Sequence, residues 1–303
     1  MATNSKNAGL GILLGLLSSS AFGLIPFFSI PLMTGGMTIP SILFYRFLLS
    51  SLFIFPILFF FHRDSMRVGF VQMALLAALS LFFATTSLGL LWSYSFIPSG
   101  IATTIHFLYP VLVAVVMIGV FNEKKSLFVV LSALLSFLGV ALLCRTDGGV
   151  PLKMTGVYIA LATVVTYALY LIGVKQYCEG KIQPLAVTFY VVLFCSIFFG
   201  IFALATTGIQ QITTVTNREW LYLAVLAFFL TALADLALIY SINYAGATPA
   251  AILGVMEPAV AVCMGVLFFA EQFTVFSFTG LAVILCSVVI VAIVTNTSIN
   301  RKL

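Results

Sequence analysis

The chain is a succession of apolar runs, each long enough to cross a bilayer, separated by short polar breaks. A helix needs about 20 apolar residues to span the hydrocarbon core. Such runs fall at 8–30, 39–61, 69–92, 97–121, 126–144, 154–174, 183–206, 219–242, 246–269 and 273–295. Backbone in lipid must satisfy its own N–H and C=O groups, so runs this continuous predict helices and not barrel strands. The fold class is therefore all-α integral membrane protein with ten transmembrane helices, and no room is left for a soluble domain. Composition agrees: 63% of the 303 residues are hydrophobic and 7% are charged, against roughly 25% charged in soluble domains.

The formal charge of +5 is spread thinly, with no basic cluster larger than the pair Lys124-Lys125. Nucleic acid is excluded as a partner, and the charge reads as topology. With a cytoplasmic N-terminus, the cytoplasmic segments hold Lys6, Arg63, Arg67, Lys124, Lys125, Lys175, Lys181, Arg301 and Lys302. The opposite side holds Arg145, Lys153 and Arg218. Nine against three predicts both termini in the cytoplasm, and a multi-pass protein of the bacterial inner membrane is the expected setting. The first run is as long as a full span and is read as one, not as a cleaved leader. Five cysteines, none in a CxxC pair, indicate neither a disulfide frame nor a metal site.

The chain also repeats itself. "YPVLVAVVMIGVFNE" (109–123) aligns with "EPAVAVCMGVLFFAE" (257–271) at an offset of 148, pairing Pro110 with Pro258, Phe121 with Phe269 and Glu123 with Glu271. Phe82, Phe83, Thr85, Tyr94 and Ser95 recur as Phe228, Phe229, Thr231, Tyr240 and Ser241. Each copy holds five helices, an odd number, so the second must enter the membrane from the opposite side. Two inverted five-helix repeats, 8–144 and 154–295, are the expected organisation. Transporters that expose a midplane site to each face in turn are commonly built this way.

These features together resemble the EamA-type members of the drug/metabolite transporter superfamily, over essentially the whole chain. The residues that carry the resemblance are Pro110 with Glu123, Pro258 with Glu271, the pair Glu257-Pro258, and Tyr45-Arg46-Phe47. Phe22-Gly23 stands where the family commonly has Trp-Gly, and Asn122 and Ala270 stand where glycine usually precedes the terminal glutamate. The resemblance implies a cavity lined by the first, third, fourth, sixth, eighth and ninth helices. It also implies export of amino acids or other metabolites, with nucleotide sugars and drug-like cations carried by other relatives.

Four titratable residues lie within runs: Arg46, His106, Asp235 and Glu257. An ionisable group there costs at least roughly 2.5–3.5 kcal/mol, which points each toward the bundle interior or a water-filled cavity. Glu257 stands beside Pro258, whose missing N–H frees a carbonyl near Gly254 and breaks the helix there. It reads as a substrate-amine or proton site, or as the structural partner of Arg46. Arg46 is assigned to structure or gating, with Glu257 or Asp235 as its carboxylate. His106 shares a helix face with Thr103 and Pro110. Thr163, Tyr167 and Tyr170 form a polar stripe on the sixth helix, matched on the first by Ser18, Ser19 and Phe22. Tyr94 and Tyr240 complete the substrate-pathway candidates. Pro110, Pro258, Glu123 and Glu271 are assigned to structure, the glutamates closing the turn into the next helix.

The function these readings favour is a secondary transporter, an exporter or permease moving a small polar metabolite such as an amino acid by alternating access. A nucleotide-sugar or drug-like cation carrier is the alternative within the superfamily. A membrane-embedded enzyme would need a catalytic set such as HExxH or GxSxG, and neither occurs. No catalytic residue, metal or cofactor is expected. The expected partners are a small-molecule substrate, the lipid bilayer and, for a coupled carrier, protons; proton coupling and simple facilitation fit equally, as do monomer and homodimer.

Overall fold

The computed structural model describes residues 5–120, 131, 134–135, 138–139, 141–142, 152–178, 181–206, 208, 215–245, 253–254 and 256–300. Its helices are α1 (Ser5–Gly23), α2 (Ile25–Thr34), α3 (Ile39–Phe61), α4 (Phe70–Ser93), α5 (Ser99–His106) and α6 (Tyr109–Gly119). They continue as α7 (Met154–Gly173), α8 (Pro184–Thr206), α9 (Asn217–Ala227), α10 (Ala234–Ala245), α11 (Met256–Phe269) and α12 (Val275–Asn300). Two π-helical segments extend them, Val174–Cys178 after α7 and Phe228–Leu233 between α9 and α10.

Local chemistry sets the helix starts. Thr38 caps α3 by accepting from Ser41 N at 3.4 Å, and Pro40 occupies the first turn, where its missing N–H is not needed. Thr216 and Glu219 form a reciprocal box at the start of α9: Thr216 N donates to Glu219 Oε2 (2.7 Å) and Glu219 N to Thr216 Oγ1 (3.3 Å).

Seven helical stretches are long and apolar enough to cross a membrane: Gly9–Thr34, Ile39–Phe61, Phe70–Ser93, Ser99–Val116, Met154–Cys178, Pro184–Thr206 and Asn217–Ser241. They coincide with the first four expected spans and with the sixth to the eighth. The ninth and tenth correspond to the shorter apolar stretches Met256–Phe269 and Val275–Ser287. The fifth, 126–144, lies largely outside the described residues. The chain is thus a multi-pass helical membrane protein.

Among the described residues three of the spans are broken. The first stops at Gly23 and restarts at Ile25, the fourth stops at His106 and restarts at Tyr109, and the ninth restarts at Met256 after a turn at Gly254. Each break is closed by a tight three-residue bond: Phe27 N to Leu24 O (3.1 Å), Val111 N to Leu108 O (3.1 Å) and Glu257 N to Gly254 O (2.9 Å). Each restarting helix carries a proline near its start, Pro26, Pro110 or Pro258. Proline cannot accept a place in the preceding helical ladder but fits a new first turn. Such breaks survive at membrane depth only where protein or a cavity covers them.

Helix neighbours follow a regular scheme. α3 packs on α8, α4 on α7, and α1 on α10; α11 touches α1 and α5, α7 touches α5 and α6, α9 lies on α3 and α4 on α8. In terms of spans, the first-eighth contact corresponds to sixth-third, and first-ninth to sixth-fourth. Exchanging the halves leaves this scheme of neighbours unchanged. At the α3–α8 contact the Phe47 ring stacks on Phe199 (5.8 Å, 6°) and meets Phe83 edge-on (5.8 Å). Packing of this kind, and not water exclusion, holds helices together in lipid.

Candidate functional site

The four ionisable residues inside the spans are all withdrawn from the surface: Arg46 is 4% exposed, His106 3%, Asp235 9% and Glu257 7%. How each is compensated differs, and that difference defines the site.

Arg46, on α3, donates from Nε to Thr231 Oγ1 at 2.6 Å. Thr231 passes its own proton to Leu226 O at 2.7 Å, five residues back, the spacing of a π turn. The wider turn frees carbonyls that a regular helix would use. Leu226 O takes Thr231, and Ala227 O shares the Ser50 hydroxyl (2.9 Å) with Arg46 O of Ser50's own helix (2.7 Å). The sequence-based expectation that a carboxylate contacts Arg46 is corrected: among the described residues neither acid forms an ion pair with it. Asp235 is its electrostatic neighbour at longer range, and the contact position is filled by a neutral hydroxyl that the π segment turns inward.

His106 is held in a parallel way. Its Nδ1 lies 2.9 Å from Thr163 Oγ1, and Thr163 donates to Ala160 O at 2.6 Å. The hydroxyl has one proton and Ala160 receives it, so Nδ1 is the donor toward Thr163.

Around His106 runs a continuous aromatic wall. The imidazole lies 5.5 Å from the Tyr109 ring and 5.1 Å from Tyr167. Tyr109 meets Tyr167 edge-on at 4.6 Å, Tyr167 stacks on Tyr170 at 5.9 Å, and Tyr170 reaches Phe83 at 4.9 Å. The fourth, sixth and third spans each contribute. Tyr94 joins at one end, its hydroxyl 3.2 Å from Thr103 Oγ1.

Glu257 faces this wall from the first turn of α11. Tyr94, Tyr109 and Tyr167 lie within its electrostatic reach, and its carboxylate hydrogen-bonds to no described residue. Tyr167 and Tyr170 also sense Asp235, so Tyr167 stands between two acids. The helix dipole contributes typically 0.3–1 kcal/mol to an acid in a first turn, and about 2 kcal/mol in the best buried cases. Withdrawing a carboxylate from water costs several kcal/mol, so the dipole offsets only part of it. The first span's break lies directly on Glu257: a Cβ at Gly23 would sit 2.5 Å from Glu257 O and 2.7 Å from Val260 Cβ. Only glycine lets the two broken helices approach this closely.

Glu271 stands just beyond the end of α11 and reaches the start of α5. Its backbone N–H closes the end of α11 by donating to Gly265 O at 3.0 Å. Its carboxylate does not face the following turn. It crosses to α5, where Oε1 accepts from Ser99 N (2.7 Å) and Ser99 Oγ (2.6 Å) and Oε2 accepts from Gly100 N (3.2 Å). Phe27 packs edge-on against Phe268 nearby (4.9 Å), and Phe28 against Tyr222 (5.5 Å). Ala270, just before Glu271, has φ +50°, the left-handed conformation that glycine adopts freely. The glycine preference at that position thereby gains a physical reason.

The structure therefore brings Glu257, Asp235, Arg46, His106, Thr163, Tyr167, Tyr170 and Tyr94 into one neighbourhood. Tyr240 pairs with Tyr244 at 5.7 Å, and among the described residues nothing joins it to this neighbourhood. Ser18 bonds Ala234 O at 2.8 Å, which ties the first span to the eighth; Ser19 is buried, and Phe22 packs on the main apolar cluster. Pro110 and Pro258 sit at helix breaks, and Glu123 lies outside the described residues. Tyr109 and Phe83 were not among the expected pathway residues. The signal for Tyr109 was present: in the repeat alignment it occupies the place of Glu257. Among the described residues no three His, Cys, Asp or Glu side chains gather as metal ligands.

Comparison with known proteins fits this architecture. A region of 177 residues is 28% identical to the uncharacterized transporter YetK of Bacillus subtilis, covering 56% of this chain and 52% of that one. Another of 208 residues is 26% identical to the uncharacterized transporter sll1319 of Synechocystis sp., covering 65% and 59%. The chain thus matches between half and three fifths of the length of these curated relatives. A crystal structure of a protein superposes with a TM-score of 0.67 at 14% identity, covering 95% of this chain and 98% of the other; at that identity the likeness is one of fold. The model of the EamA-like transporter family matches residues 9–145 and again 154–293, and the chain belongs to that family.

Proposed function

We propose that the chain is a secondary transporter that moves a small polar metabolite, amino acids being the first class to test, across the cytoplasmic membrane. In this reading ten helices form two inverted five-helix repeats, 8–144 and 154–295, with both termini in the cytoplasm of a bacterial cell. The site is exposed alternately as the repeats rock against each other. The observation that carries the reading is the convergence of broken helices on buried polar groups: Gly23 at the first break packs against Glu257 at the ninth. Tyr109 at the fourth break packs against Tyr167. A purely structural bundle has no use for unfilled polar groups at that depth, whereas a carrier needs them for its cargo. The exchange-invariant scheme of helix neighbours supports two equivalent halves.

The test is flux of a labelled amino acid into proteoliposomes holding the purified full chain, with a metabolite panel as competitors. Saturable flux that panel members suppress is expected. Flux equal to that of protein-free liposomes for every compound, from protein of intact helicity, would contradict the reading.

A further inference from the structure

α5 and α11 are segments cut from longer spans, and they pack together from opposite halves of the chain. α5 holds 8 residues and ends at the break after His106; α11 holds 14 and begins at the break before Met256. At about 1.5 Å per residue they extend about 12 Å and about 21 Å from those breaks. Each therefore leaves the regular ladder of its span at one end. Their other ends are joined to each other, because Glu271 accepts from Ser99 N, Ser99 Oγ and Gly100 N.

That join is one that water can replace. Pro98 stands at the N-cap position of α5 without a side-chain bond, so the first N–H groups of the helix depend on an acceptor from the other half. Glu271 is half-buried, and water can solvate both the carboxylate and the N–H groups once they separate. The buried bond between Arg46 and Thr231 has no such substitute. Glycines line the contact: a Cβ at Gly100 would sit 3.0 Å from Val262 Cα and 2.9 Å from Phe273 Cζ, and one at Gly265 would fall on the Glu271 carboxylate. Thr103, one turn along α5 from Ser99, bonds Tyr94 at the end of the aromatic wall. Parting α5 from α11 uncovers that end of the candidate site.

We infer that the Glu271 clasp is the closure of one face of the transporter: α5 and α11 swing about their breaks, the three bonds part, and the site opens to that face. The inference rests on the transport reading above, whose topology puts the start of the fourth span and the end of the ninth outside the cytoplasm. The clasped arrangement then has its non-cytoplasmic face shut. A permanent brace at the same place differs in one respect: loosening it does not open one face selectively.

The experiment reads access to a single cysteine, Thr103→Cys, at a position buried behind the clasp, in the full chain with its 5 native cysteines changed to alanine. The probe is a charged, membrane-impermeant methanethiosulfonate, applied to right-side-out and to inverted membrane vesicles. Glu271→Ala is expected to raise the labelling rate about tenfold in right-side-out vesicles and not in inverted ones. Gly265→Ala, whose methyl group displaces the carboxylate but keeps its charge, is expected to act in the same way and decides if Glu271→Ala does not fold. An unchanged rate, an equal rise from both sides, or a rise only from the cytoplasmic side would each overturn the inference. Labelling needs no cargo, so the two readings fail separately. One-sided opening without flux of any solute keeps the moving closure and sinks the carrier; saturable flux with unchanged labelling does the reverse.

Discussion

Helix α11 carries one carboxylate in its first turn and another just beyond its last, and the protein treats them in opposite ways. Beyond the last turn, Glu271 accepts three hydrogen bonds from the start of α5, a helix of the other half. In the first turn, Glu257 accepts none from any described residue, although it is the more buried of the two. A fold that satisfies the half-buried acid so fully, and leaves the more buried one without an internal donor, assigns them different work. The acid beyond the helix end holds the two halves together. The acid of the first turn is held open by packing around it, with Gly23 against its carbonyl and Tyr109 and Tyr167 within its electrostatic reach.

The same contrast separates Glu257 from Arg46, and it gives the largest expected effect on stability. Thr231→Val removes the acceptor of a buried guanidinium and should cost about 3 kcal/mol. A midpoint of thermal unfolding in detergent that does not fall would mean that Arg46 finds Asp235 directly. Next, Glu271→Ala removes the clasp between α11 and α5 and should cost about 2 kcal/mol, since each hydrogen bond to a charged group is worth roughly 1.5–3 kcal/mol and Glu271 is half-buried. An unchanged midpoint would strip the clasp of its structural role. Smallest is Ala270→Gly, a gain of about 0.5 kcal/mol: relief of left-handed strain, roughly 1–2 kcal/mol, exceeds the added freedom of the unfolded chain. A loss of stability there would mean that the left-handed turn is not strained.

Much of this contrast was legible in the sequence, because length and apolarity settle which stretches can span a membrane. Pro258 announced one of the three helix breaks seen among the described residues, while Pro110, read as structural, stands at the second. The third, at Leu24, also has a proline after it, Pro26, but Pro31 and the apolar run around both hid it. The π segment at Phe228–Leu233 was not legible. An inserted residue is stable only when its freed carbonyls find donors, and Ser50 comes from a distant helix. That explains the misassigned partner of Arg46: sequence offers opposite charges as candidates, while the fold supplies a hydroxyl whose orientation depends on the π turn. Glu271 was correctly tied to the end of its helix, but its carboxylate reaches α5, a contact that spacing along the chain cannot reveal. Tyr109 was visible as the repeat partner of Glu257 and is informative for that reason. The two halves place a phenol and a carboxylate at equivalent helix breaks, and this departure from symmetry marks the site.

The most direct test of the central claim, that Glu257 serves a ligand and not the fold, is the thermal unfolding midpoint of Glu257→Gln in detergent without added solute. Replacing an unpaired buried acid with its neutral isostere removes a desolvation cost and breaks no internal bond. The account predicts a midpoint equal to or above that of the unsubstituted chain. A fall as large as that of Glu271→Ala would show that Glu257 holds the protein together and would contradict the account.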